Sequence, residues 1–131
     1  MASTQPEPQA VLYFDVISPW ACLMERTLQQ DPLPVALERR PVLFAGLLNA
    51  FGHKGPAEIE RKRRLTYELC TWSAQQQGMP FLMPAVHPFN PLRYLRLIIA
   101  LGATGQVVSA VFDRHLETAR GYGTSEMQLG R

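Results

Sequence analysis

The chain opens on a short apolar run and then shifts to longer stretches where apolar positions recur every three or four residues. Residues 10 to 16, AVLYFDV, are bounded by polar and turn-forming residues, the pattern of a short buried strand. Ser18 follows as a natural helix N-cap. Pro19 then takes the first helical position, where a missing N–H costs no hydrogen bond. The spacing predicts a helix to about Gln30, stopped by DPLP. Residues 35 to 40, VALERR, read as a second strand ended by Pro41. PVLFAGLLNAFGHKGP, residues 41 to 56, is apolar and punctuated by glycine, which predicts a packed loop holding a short helix.

Residues 57 to 77 carry a helical pattern. Leu65, Leu69 and Trp72 recur at i, i+4, i+7 and are the expected buried stripe. Gly78 closes this helix and Met79-Pro80 prevents its continuation. MPFLMPAVHPF then reads as an extended, proline-rich connector. Asn90 is the expected N-cap of the next helix, with Pro91 at its first position and Leu92, Leu95 and Ile99 facing inward. GATG at 102 to 105 is a turn. A last helix is expected from 106 to about 120, with Val108, Val111, Phe112 and Leu116 on one face. Residues 1 to 9 read as a loose leader, and 121 to 131 as a tail without periodicity. The order is β, α, β, then helices only. Two strands do not make a stable sheet by themselves, so either the pattern conceals further strands or the sheet is incomplete.

Composition narrows the class. The chain has 131 residues and 47% apolar residues, enough for one domain with a real core. A net charge of +2 gives no argument for nucleic acid. The basic run Arg61–Arg64 follows Glu58 and Glu60, and reads as a solvated helix face with Glu58–Lys62 and Glu60–Arg64 pairs. No apolar run is long enough to span a membrane, and residues 1 to 10 lack the basic start and apolar stretch of a secretory signal. A cytoplasmic protein is expected.

The candidate chemistry sits at the first strand-to-helix junction. Thiol-handling folds of the thioredoxin type carry Cys-x-x-Cys there. Here the two positions hold Ser18 and Ala21. The two cysteines, Cys22 and Cys70, fit no Cys-x-x-Cys spacing, and both read as buried helix residues in a reducing compartment. His53, His87 and His115 show no metal-ligand spacing with them, and no metal is expected. His87 reads as a connector residue bonded to backbone, with pocket lining as the alternative. Trp20, beside Ser18, reads either as core or as a flank for an aromatic substrate.

Three blocks carry a family resemblance: YFDVISPWACL, PVLFAGLLNAFGHKGPAEIERK and GMPFLMPAVHPFNPLRYLRL. In that order they resemble the 2-hydroxychromene-2-carboxylate isomerases and the kappa-class glutathione transferases, over roughly residues 10 to 101. The resemblance implies an α/β, DsbA-like thioredoxin fold with an inserted helical region, lacking its last strands and helix. Its parts would be an N-terminal βαβ unit at 10–42, the helical insertion at 43–120 and the tail at 121–131. It implies glutathione as cofactor, with Ser18 stabilising the glutathione thiolate. It further implies His53, where asparagine is usual, and Lys62 as glutathione contacts, and Trp20 and Asn90 as the substrate pocket. The implied activity is a glutathione-dependent isomerase. A kappa-type transferase, an oxidoreductase-like relative and a truncated non-catalytic domain are the alternatives. The implied partners are a small aromatic or electrophilic substrate and, as an option, a second copy of the chain, with no nucleic acid and no membrane.

Serine is chemically coherent at this junction. A hydroxyl cannot attack a disulfide as a thiolate does. It can donate a hydrogen bond to a thiolate that another molecule brings, at a helix end whose dipole favours negative charge.

Overall fold

Strand β1 (Gln9–Phe14) and strand β2 (Ala36–Pro41) pair in parallel, in register from Gln9 opposite Ala36 to Phe14 opposite Pro41. The computed structural model describes residues 9–84 and 86–114, and all that follows concerns these. Along β1 the exposure alternates, so that Ala10, Leu12 and Phe14 turn inward while Val11 and Tyr13 stay exposed. The strand ends two residues before its apolar run does. Asp15 leaves the ladder because its carboxylate accepts from two backbone N–H groups, of Ile17 at 3.2 Å and Phe44 at 2.8 Å. Val16 is nevertheless buried in the core.

Helix α1 (Pro19–Gln30) is the crossover between the strands, since parallel neighbours need a long connection. It starts as the sequence predicts: Ser18 is extended, and its Oγ accepts the Ala21 N–H at 3.2 Å. After β2 comes helix α2 (Phe44–Phe51), the short helix expected inside residues 41 to 56. It ends at Gly52, whose φ of 65° suits glycine and lets His53 N–H return to Leu48 O at 2.9 Å. A 3-10 turn (Pro56–Glu58) leads to helix α3 (Glu60–Gln76), then the connector, helix α4 (Leu92–Ala100) and helix α5 over 105–114. Leu116, His115, residues 1–8 of the leader and the 121–131 tail lie outside the described residues.

Two apolar clusters hold these elements. In the larger, Phe14 and Val16 meet Cys22 of α1, Leu95 and Ile98 of α4, and Val108, Val111 and Phe112 of α5. In the smaller, Leu23 of α1 meets Cys70 and Ala74 of α3 and Met79 of the connector. Neighbouring positions of α1 therefore serve different clusters. Ile98 is wholly buried, and burial of such a side chain contributes about 1.5–3 kcal/mol.

Several further expectations fail. Leu65, Leu69 and Trp72 are 54%, 43% and 60% exposed, so they are not the buried stripe of α3. At about 100° per residue they lie opposite Cys70 and Ala74, whose small side chains let α3 approach α1 closely. In α4 the inward residue is Ile98, three places after Leu95, and Ile99 points out. The Glu58–Lys62 and Glu60–Arg64 pairs do not form. Glu58 precedes α3, and its carboxylate accepts Gly55 N–H at 2.7 Å, while Arg64 pairs forward with Glu68 at 2.8 Å. Helix α4 also starts one residue later than expected, with Asn90 Oδ1 accepting Leu92 N–H at 3.1 Å.

Candidate functional site

The β1–α1 junction is tied on two sides. On one, buried Asp15 joins Ile17 N–H to Phe44 N–H, fixing the loop against the start of α2. On the other, His87 of the connector reaches Ile17 O with Nε2 at 2.7 Å, while its Nδ1 meets the Tyr67 hydroxyl of α3. Between these ties stands Ser18. Its N–H donates to Asp15 O at 3.1 Å, its carbonyl accepts Cys22 N–H at 3.2 Å, and its Oγ accepts Ala21 N–H. The hydroxyl proton has no partner in this set of bonds.

Ser18 lines a cavity of about 550 Å³, a size suited to a small-molecule ligand. Its walls come from α1, α2, the 53–58 segment, α3 and the connector. A crevice of about 20 Å³ on the Cys22 side of Ser18 has room for little more than one water. The large cavity is therefore the candidate site.

Of the residues singled out in the sequence, Ser18, Trp20, His53 and Asn90 line this cavity together. They come from positions spread over more than 70 residues. Trp20 is 46% exposed, so its ring is a wall of the cavity and not core. Lys62 is exposed and lies away from the cavity lining. Its neighbour Arg63 is on the lining, with Nη1 turned to Ala57 O at 3.4 Å.

Among the lining residues without a site role in the sequence reading are Asp15, Arg63 and Tyr67, while His87 had pocket lining as its alternative reading. Asp15 did carry a signal, since an aspartate between a strand and an N-cap is a natural acceptor for turn N–H groups. Arg63 and Tyr67 share the Cys70 face of α3, which the bulkier Leu65 stripe masked. His87 makes the backbone bond expected of it and also lines the cavity.

The electrostatics argue against a thiolate supplied by the chain. Burial pushes the Cys22 thiol up, against the lowering effect of Arg26 beside it. Burial pushes Cys70 up to about 12, with Cys22 adding to the shift. Burial also raises the Tyr67 phenol, which keeps its proton at neutral pH. Two buried thiols of this kind are inert toward disulfides. No described helix is long and apolar enough to cross a membrane.

A family model described as a DSBA-like thioredoxin domain matches residues 9–127. The chain belongs to that family, and its parallel β-α-β opening with helices after it agrees with the fold the resemblance implied. Comparison with curated proteins and with solved structures returns no significant match.

Proposed function

We propose that this member of the DsbA-like thioredoxin family binds glutathione in the cavity and uses Ser18 to hold its thiolate. The reaction would be an isomerisation of the 2-hydroxychromene-2-carboxylate type. One observation carries the reading: the Ser18 Oγ caps α1 through a lone pair, which leaves its proton to donate, and it lines a cavity of ligand-binding size. The first turn of α1 adds the positive end of its dipole there.

In this reading the thiolate adds to an unsaturated carbon of the substrate. The ring then opens, a bond rotates, and elimination releases the rearranged product and returns glutathione unconsumed. Trp20, Phe44 and Phe89 offer the aromatic wall such a substrate needs, and His53 and Asn90 offer polar contacts. A kappa-type transfer shares the thiolate step and differs in its end, because glutathione leaves as a conjugate. Product analysis separates the two.

A second reading, a non-catalytic domain acting through a partner, draws on the exposed apolar stripe Leu65, Leu69 and Trp72. The deciding experiment is titration of the full chain with glutathione, followed by calorimetry, thermal unfolding and the ultraviolet absorbance of the thiolate. Binding with thiolate formed at neutral pH, lost in Ser18→Ala, supports the first reading. Removal of one such donor costs about 10²–10³-fold in rate. No binding, and no shift of unfolding, leaves the second.

A further inference from the structure

We propose that His87 is the positioning residue for Ser18, and that Tyr67 braces the His87 ring that does this. The inference deepens the reading of Ser18 as the thiolate's donor and rests on it for its catalytic meaning. Its structural content stands apart from that reading.

The argument starts from what each atom can do. Ile17 O is a carbonyl and can only accept, so the His87 Nε2 that lies 2.7 Å from it carries a proton. In neutral histidine the other nitrogen then has a lone pair, and Nδ1 accepts from the Tyr67 hydroxyl. The Tyr67 hydroxyl also lies 3.3 Å from His87 O, a second and longer acceptor for its one proton. The rings meet edge to face at 5.2 Å, which fixes the imidazole plane.

The consequence falls on the next residue. Ile17 O belongs to the peptide unit whose N–H is that of Ser18, and this N–H donates to Asp15 O at 3.1 Å. Both ends of that peptide plane are thus held, the carbonyl by His87 and the N–H by the turn at Asp15. A fixed plane fixes φ of Ser18, and with it the side chain that caps Ala21 N–H. Without His87 the carbonyl loses its only protein donor among the described hydrogen bonds, the plane can tilt, and Oγ loses its aim into the cavity. The tie is also long in sequence: His87 is 70 residues from Ile17, and Tyr67 is 20 from His87. Helix α3 and the connector therefore set the geometry of a helix cap far from them in the chain.

The test uses the full-length chain with His87→Ala, His87→Gln and Tyr67→Phe. Amide hydrogen exchange is followed at Ala21, and at Ala103, whose N–H is bonded to Ile98 O at 2.9 Å on another side of the core. Nitrogen-15 spectra report which His87 nitrogen carries the proton. His87→Ala is expected to speed Ala21 exchange about fivefold, the factor for one net hydrogen bond, with Ala103 unchanged. His87→Gln keeps an N–H donor and recovers part of the protection. Tyr67→Phe leaves the ring contact and the Ile17 carbonyl, so Nε2 keeps its proton while the imidazole is held less firmly, and Ala21 exchange rises by less than in His87→Ala. Equal acceleration at Ala21 and Ala103, or none at Ala21, overturns the proposal whatever glutathione does. A second arm measures the thiolate fraction of bound glutathione. Loss in Ser18→Ala without loss in His87→Ala also overturns it. If the thiolate survives in Ser18→Ala, the reading of Ser18 fails, and the exchange data still decide the role of His87.

Discussion

Arg39 closes its guanidinium on both oxygens of Glu25: Nε reaches Oε2 at 2.8 Å and Nη2 reaches Oε1 at 2.9 Å. Glu25 is 1% exposed, and Gln29 adds a third bond to its carboxylate at 2.7 Å. The pair fastens α1 to β2 inside the βαβ unit. Breaking a buried pair strands a charge, so Glu25→Ala should cost about 3–5 kcal/mol. Replacing both partners with apolar residues of similar volume should cost far less. Urea unfolding of the single and double variants, at unchanged m-value, measures the contrast. A single variant as stable as the parent would show that water reaches the pair.

The same guanidinium explains why Gly105 begins α5. A Cβ there would lie 2.8 Å from Arg39 Cζ and 2.8 Å from Nη2. Arginine tips usually swing aside, but Glu25 holds this one. Gly105→Ala should therefore destabilise by about 1–3 kcal/mol, despite alanine's better helix propensity. In a Glu25→Gln background Arg39 is freer, and the cost should shrink. A double-mutant cycle reads the coupling, and strict additivity of the two changes would argue that Arg39 yields without loss.

How much was legible in the sequence depends on the range of the interaction. Strand, cap and proline signals at residues 10 to 30 are local, and α1 begins at Pro19 and ends at Gln30 as they predict. The α3 face was not legible, because two stripes compete and hydrophobic size favours the wrong one. What decides is closeness of approach to α1, a tertiary matter that favours Cys70 and Ala74. Trp72→Ala should thus change stability within about 0.5 kcal/mol, as surface substitutions do, while Ala74→Leu overpacks the α1–α3 contact and costs about 1–3 kcal/mol. Thermal unfolding of both variants, with the order of losses reversed, would restore the sequence-based face.

Cys70 gives a prediction in pH. Its thiol is raised from an ordinary 9.0 to about 12 by burial. Between these values the unfolded chain has lost the thiol proton and the folded chain keeps it. Unfolded chains then bind fewer protons, so stability falls as pH rises through this window. Below pH 9 the contribution is intact. Cys70→Ala removes the titrating group, so the stability of the parent relative to the variant should fall smoothly from pH 9 upward. A difference independent of pH would mean the thiol is open to water.

The cavity's cation is the last point on which sequence and structure part. The resemblance assigns the glutathione contact to Lys62, but one step along a helix is about 100° of rotation. The face of α3 toward the cavity carries Arg63, Thr66 and Tyr67. Lys62 is on the exposed side. Arg63 is held there by one long bond to Ala57 O at 3.4 Å, and no described carboxylate forms an ion pair with it. A guanidinium so placed can take a carboxylate of an entering ligand through two N–H groups without first giving up a charged partner. Arg63→Met should therefore weaken binding of an anionic ligand such as glutathione about tenfold or more, the scale of one charge-assisted hydrogen bond. Lys62→Met should change it little. Calorimetric titration of both variants settles the assignment, provided each unfolds at the parent's temperature. Weakening in Lys62→Met alone would mean that α3 turns when the ligand enters, and that the resemblance had named the right residue.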